Sequence, residues 1–308
     1  MENGLLRRAS LIFPIDSTVS AAPLSLGRRL EPNNLDVVLA GDGRGGRRCS
    51  PLFSLNPSWS VPASVWTESF RVRSYDVTPG GTASVLALAD YFQEAAGRHA
   101  EALGVSMQEL LDEGKAWVLA HLHLQLERRP RWNDTIEIET WPSGLDRLFA
   151  RREFVFRDEA GALLAQGTSA WLVIDVERRR PLRPPSALYD IDTPDRPRPV
   201  EADLDDLPAP DRVDRTRDFT VRYHDLDLNR HVNNVRYLEW ALETLPADVL
   251  DEYECLALAL QFEAEATHGD PIRATAELHH DGGTLRVRHR LAHAGSDETL
   301  ARAVTTWE

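Results

Sequence analysis

The chain has 308 residues, an apolar content of 42% and a formal net charge of −14. That length holds one large or two modest domains, and the acidic balance argues against nucleic-acid binding, which wants a basic face. No apolar run approaches the roughly 20 residues that span a bilayer, and Cys49 and Cys255 make no disulfide framework, so a cytoplasmic protein with no membrane span is expected.

Residues 1–65 scatter Pro, Gly, Ser and Arg without a sustained period and read as a poorly ordered leader or an over-long start. A transit peptide is disfavoured by Asp16, Glu31 and Asp36. Next, Leu86, Ala89, Phe92, Ala95, Ala96, His99 and Leu103 recur at helical spacing and predict a mostly buried helix. Strand signals follow over Trp117–Glu127, Thr135–Trp141, Arg151–Arg157 and Leu164–Asp175, as in the alternation Ile136-Glu137-Ile138-Glu139. Prolines from Pro181 to Pro210 mark a stiff, extended connection. A second helix is predicted at Val235–Leu245, then strands at Leu256–Glu265, Ile272–Leu278, Leu285–Leu291 and Leu300–Trp307. Arginines cluster at Arg128-Arg129 with Arg131, at Arg151-Arg152 and at Arg178-Arg179-Arg180. Such clusters are usually solvated faces, and would be docking surfaces if the partner were a small acidic protein.

The two halves are copies. Phe70–Glu94 lies over Phe219–Glu243 without a gap at an offset of 149 residues, 219 less 70, matching Arg73 to Arg222, Asp76 to Asp225 and Tyr91 to Trp240. Farther along the offset is 136, 307 less 171: Trp171 meets Trp307, Leu124-Gln125 meet Leu260-Gln261, and Asp134 meets Asp270. Duplication of one unit is the economical explanation. It divides the chain into a unit at 66–190, a Pro-rich linker at 191–215 and a second unit at 216–308.

Polar residues concentrate in the run Arg222–Asn234, immediately before the second helix. Polar groups gathered at a helix start must be solvated, paired or used, and the helix N-terminus adds N–H groups aimed at developing negative charge. That combination suits hydrolysis of an acyl compound. A calcium loop fails, because Arg230 stands where a sharp-turn Gly is needed and Arg236 where a bidentate Glu should close the cage. Asn233 or Asn234 serves as the N-cap. Asp227, Asn229 and His231 recur every second residue, which in an extended segment sends all three side chains to one side. In the first copy the matching residues are Thr78, Gly80 and Thr82, so the fold itself does not require the polar set.

One helix followed by several strands, twice over, is an α+β pattern in which an antiparallel sheet wraps a central helix. The run Asp225-Leu226-Asp227-Leu228-Asn229-Arg230-His231-Val232-Asn233-Asn234, continuing to Trp240, resembles the acyl-ACP thioesterases of plants and bacteria. The resemblance implies a tandem hotdog fold over about residues 66–308 and hydrolysis of fatty acyl-ACP in fatty acid biosynthesis. It carries the catalytic set onto Asp227, Asn229 and His231. Within Leu260-Gln261-Phe262-Glu263-Ala264-Glu265-Ala266 it puts the catalytic acid at Glu265, whose counterpart in the first copy is Arg129. Many plant members carry Cys directly after that Glu. Ala266 stands here, leaving attack by water rather than by a thiol at that position.

In this reading Glu265 is the base, Asn229 and His231 orient it with water, Asp227 orients its neighbours, and N–H groups at the helix start polarise the thioester. Leu86, Ala89, Phe92 and Ala96 of the first helix are expected to wall the acyl chain. No cofactor or metal is expected. The partner is acyl carrier protein, and two units in one chain make a monomeric pseudo-dimer or a homodimer. The competing readings are an acyl-CoA thioesterase, a hotdog dehydratase and a non-catalytic acyl-thioester sensor. His121 and His123 share a strand face but have no carboxylate or thiol near them in sequence, so ordinary side chains are expected there.

Overall fold

In the computed structural model, the described residues are 64–202, 204 and 206–308, so the expected leader lies outside them except for its last two positions. The first half forms β1 (Trp66–Arg71), α1 (Val85–Ala102), α2 (Met107–Asp112), β2 (Lys115–Leu126), β3 (Thr135–Asp146), β4 (Phe149–Asp158), β5 (Leu163–Asp175) and a short β6 (Arg180–Leu182). The second forms β7 (Arg215–Thr220), α3 (Asn234–Leu242), α4 (Ala247–Glu252), β8 (Cys255–Phe262), β9 (Pro271–Asp281), β10 (Thr284–His293) and β11 (Thr299–Trp307).

Local chemistry accounts for these elements. Ser84 caps α1 by accepting the Ala87 N–H at 3.0 Å, and Gly104, at φ +70°, follows its end in the left-handed conformation that glycine adopts without a Cβ penalty. In β3 the buried Ile136 and Ile138 flank the exposed Glu137, as the strand period requires. The α3 cap is Asn233, whose Oδ1 accepts from Val235 N at 2.9 Å. That helix stops at Leu242, three residues short of its predicted end. Tight-turn bonds from Thr244 to Ala241 and from Leu245 to Leu242 close it ahead of Pro246, which cannot donate.

The strands join in one sheet, ordered β1-β3-β4-β5-β2-β8-β11-β10-β9-β7, with β6 beside β5. From the central β2–β8 pair, where Leu122 faces Leu260, the order is the same in both directions. The two copies thus share a pseudo-twofold axis and a continuous antiparallel sheet. Both long helices pack on it around a common core, with Phe92 of α1 at a ring distance of 4.0 Å from Phe154 and Tyr237 of α3 at 5.8 Å from Phe262. They meet where Asn234 Nδ2 donates to Gln93 Oε1 at 2.9 Å.

The chain between the repeats crosses the sheet face opposite α1. Alternate residues of β4 make the two faces explicit: Arg152 bonds His99 of α1, while Arg151 reaches the Ala202 carbonyl of the connection. Leu207 N donates to Gln261 Oε1 at 2.7 Å, and Arg302 reaches the Leu207 carbonyl at 3.1 Å. Under this strap Arg151, Glu153 and His121 are buried. The Arg151 part of the arginine clusters is therefore not a solvated face, because the connection covers it. Burial, together with the neighbouring His123, pulls His121 down to about 4.

Candidate active site

The motif before α3 folds as a tight turn, not as an extended run. Leu226 bridges Val232, Asp227 N donates to the His231 carbonyl at 2.8 Å, and Arg230 takes φ +65° to close the reversal. The Asp227 carboxylate turns inward, where Oδ1 accepts the N–H groups of Asn229 at 2.8 Å and His231 at 3.3 Å. The expected extended conformation is corrected: the reversal breaks the strand period, and Oδ1 of Asp227 is engaged by backbone donors, while Asp227, Asn229 and His231 still line a common cavity. Before the turn, Asp225 is buried against Arg222, which bonds both of its oxygens. Burial raises the Asp225 pKa, but the Arg222 hydrogen bonds outweigh it and hold the carboxyl below its ordinary range.

Glu265, the last residue of its predicted strand, lies beyond the end of β8 at Phe262. Glu263 N and Ala264 N both donate to the Leu300 carbonyl, at 2.8 and 3.2 Å, so the regular ladder ends at Phe262 and the chain leaves the sheet. Two bonds then fix it beside the turn: Val232 N to the Ala266 carbonyl at 2.9 Å, and Ala266 N to the Tyr237 hydroxyl at 3.0 Å. His231 Nε2 consequently stands 3.3 Å from Glu265 Oε2. Arg179 Nη1, from the turn between β5 and β6 in the other repeat, approaches the same oxygen at 2.7 Å.

The structure thus joins Glu265 to His231 and ties Asp227 to the His231 backbone. The Asn229 side chain bonds neither Glu265 nor His231; its Nδ2 lies 3.5 Å from Met107 Sδ at the start of α2. All four line one cavity of about 1130 Å³ that reaches into the first repeat. Of the four α1 residues expected to wall it, Leu86 and Ala96 do so, whereas Ala89 and Phe92 belong to the buried core. The cavity stripe of α1 runs Leu86, Asp90, Gln93, Gly97 and Ala100, a mixed face that sequence pattern alone would assign to solvent.

The first repeat keeps the same turn without the polar groups. Thr78 N donates to the Thr82 carbonyl at 2.8 Å, Gly81 takes φ +78°, and Ala83 N reaches the Pro130 carbonyl at 2.7 Å, matching the Val232–Ala266 bond at the offsets read from sequence. Arg129, in the position of Glu265, instead pairs with Glu254. The scaffold is duplicated and the polar set is not.

Sequence reasoning missed Arg179 and Tyr237. Arg179 stood inside a noted arginine cluster, but its partner is 86 residues away. Tyr237 fits the apolar pattern of α3, and only its hydroxyl contact reveals its place. Burial raises its pKa, with Glu265 and Asp270 adding to the rise against the Ala266 bond, so the phenol stays neutral. Tyr237→Phe is expected to cost about 1–3 kcal/mol in denaturant unfolding, because it orphans the buried Ala266 N–H.

Comparison with known proteins identifies the family. A family model described as the acyl-ACP thioesterase N-terminal domain matches residues 63–191, and one described as the C-terminal domain matches 209–308. The chain is 30% identical over 251 residues to a chloroplastic oleoyl-acyl carrier protein thioesterase of Coriandrum sativum, covering 75% of this chain and 68% of the relative. It is 29% identical over 260 residues to a chloroplastic dodecanoyl-[acyl-carrier-protein] hydrolase of Cinnamomum camphora, covering 79% and 67%. The solved structure of a 12:0-ACP thioesterase from Umbellularia californica superposes with a TM-score of 0.72 at 27% identity, over 80% of this chain and 95% of that one. With both halves matched and the tandem hotdog architecture shared, this chain belongs to the acyl-ACP thioesterase family.

Proposed function

We infer that the chain hydrolyses the thioester between a fatty acyl group and acyl carrier protein, releasing the free acid in fatty acid biosynthesis. The observation that carries this reading is the Glu265–His231 contact at 3.3 Å, at the wall of a cavity that extends into the opposite repeat. Water attacks the carbonyl carbon while Glu265 takes its proton. Collapse of the tetrahedral intermediate breaks the C–S bond, and the same proton passes to the leaving thiolate. His231 and Asn229 orient water and carbonyl, and Asp227 holds the turn that presents them. Arg179 gives the carboxylate a charge-assisted hydrogen bond from the other repeat. The position after Glu265 is Ala266, so no thiol there competes as nucleophile.

In this reading the unit at 66–190 forms the acyl pocket, the linker at 191–215 straps the sheet, and the unit at 216–308 carries the chemistry. The chain acts in the cytoplasm as a monomeric pseudo-dimer or pairs further as a homodimer, which sedimentation distinguishes. Among the described residues no helix is long and apolar enough to cross a membrane.

Free-thiol release from acyl-ACP substrates of increasing chain length, beside the matching acyl-CoA series, tests the function. Hydrolysis of acyl-ACP is expected, with rates that fall more steeply with salt than those on acyl-CoA, because protein carriers dock through extended charge pairing. No thiol release from any acyl-ACP would sink the reading, and equal salt dependence would remove the carrier preference.

A further inference from the structure

Arg179 meets Glu265 from outside the cavity. Its Nη1 donates to Oε2 at 2.7 Å, and His231 Nε2 stands 3.3 Å from the same oxygen. Among the described residues no hydrogen bond or ion pair engages Oε1. Glu265 and His231 both line the cavity, whereas Arg179 does not. Two donors from different repeats thus grip one carboxylate oxygen and leave the other open.

The turn that presents Arg179 is fixed locally. Arg178 N donates to Asp175 Oδ1 at 2.7 Å, Arg178 Nη1 to Oδ2 at 3.1 Å, and Arg179 N to the Asp175 carbonyl at 2.8 Å. Arg179 itself takes φ +50°, a left-handed conformation that an L residue keeps only where its surroundings over-determine it. β6 pairs back on β5 with Asp175 opposite Arg180, and only β2 separates β5 from β8, which leads into Glu265. The turn therefore aims one long side chain across the repeat boundary.

As a stabilising element the pair is weak. The Arg179 side chain is 52% exposed, and ion pairs so placed contribute little to folding. What it supplies is direction. A glutamate carboxylate turns easily about its last torsion, and a single donor at 3.3 Å leaves that rotation open, whereas a second, charge-assisted donor on the same oxygen closes it. Resting on the hydrolase reading above, we propose that Arg179 is a positioning residue supplied by the opposite repeat: it holds Glu265 by Oε2 so that Oε1 takes the proton of the attacking water, and it acts on the reaction only through that carboxylate.

The test measures thiol release by Arg179→Ala in the full chain from acyl-ACP and from the matching acyl-pantetheine, which carries no protein. On both substrates kcat is expected to fall roughly ten- to a hundredfold with KM little changed, the scale of a misplaced catalytic group. Arg179→Lys should recover part of that turnover, as should millimolar guanidinium added to Arg179→Ala, whereas sodium chloride at equal ionic strength should not. In a Glu265→Gln background the same substitution should change little, because the base it positions is gone. Wild-type turnover in Arg179→Ala would overturn the proposal. So would an equal loss in the Glu265→Gln background, or a loss confined to KM for acyl-ACP, which would make Arg179 a carrier contact. A wild-type protein that releases no thiol from either substrate would instead overturn the hydrolase reading itself, and this assignment with it.

Discussion

Glu265→Gln is expected to lower kcat for acyl-ACP hydrolysis by about 10²–10⁴-fold, the range supplied by a positioned general base. Glutamine keeps the size of the side chain and can still accept from Arg179 through its carbonyl oxygen, but it cannot take a proton from water. The fold should barely notice the change. Arg179 is half exposed, and an ion pair of that kind contributes roughly 0–1 kcal/mol. Steady-state kinetics with an unfolding midpoint measured on the same preparation separates the two effects. A variant with near wild-type turnover would take the base away from Glu265 and leave the Glu265–His231 contact a structural pair.

The largest expected loss of stability lies in the other repeat. Phe92 is fully buried, and its ring centroid is 4.0 Å from that of Phe154 in the shared core. Phe92→Ala removes that contact and leaves a void between α1 and the sheet, at a cost of about 3–5 kcal/mol in denaturant unfolding. The cost measures how far the site can collapse, so a loss below about 1 kcal/mol would show α1 to be loosely seated. Because α1 also lines the cavity, acyl chain-length preference should shift in any Phe92 variant that still folds.

Much of the architecture was readable because its signals are local or repeated. The α1 pattern from Leu86 to Leu103 and the β3 alternation from Ile136 to Glu139 are periodicities within one element, and the structure realises both. The duplication was readable from residues matching at a constant offset, such as Arg73 with Arg222 and Asp76 with Asp225, and the structure realises it in matching backbone conformers, with Gly81 and Arg230 149 positions apart at φ +78° and +65°. The residues gathered near α3 were legible as a group through the absence of their polar chemistry from the first copy.

Side-chain direction in that group was not legible. Two-residue spacing gives one face only in extended chain, and the Asp227–His231 bond makes a reversal instead. Nor does spacing distinguish a helix stripe that faces an internal cavity from one that faces solvent, since both tolerate Asp90 and Gln93.

By itself the sequence determined the two-copy α+β plan, the place of the polar cluster and the family resemblance, because helix period, strand alternation and turn chemistry act over a few residues. Tertiary structure alone decided that β2 and β8 fuse the copies into one sheet, and that Arg179 meets Glu265 across 86 residues. Those outcomes depend on long-range packing and on which charges are withdrawn from water together, and neither leaves a period along the chain.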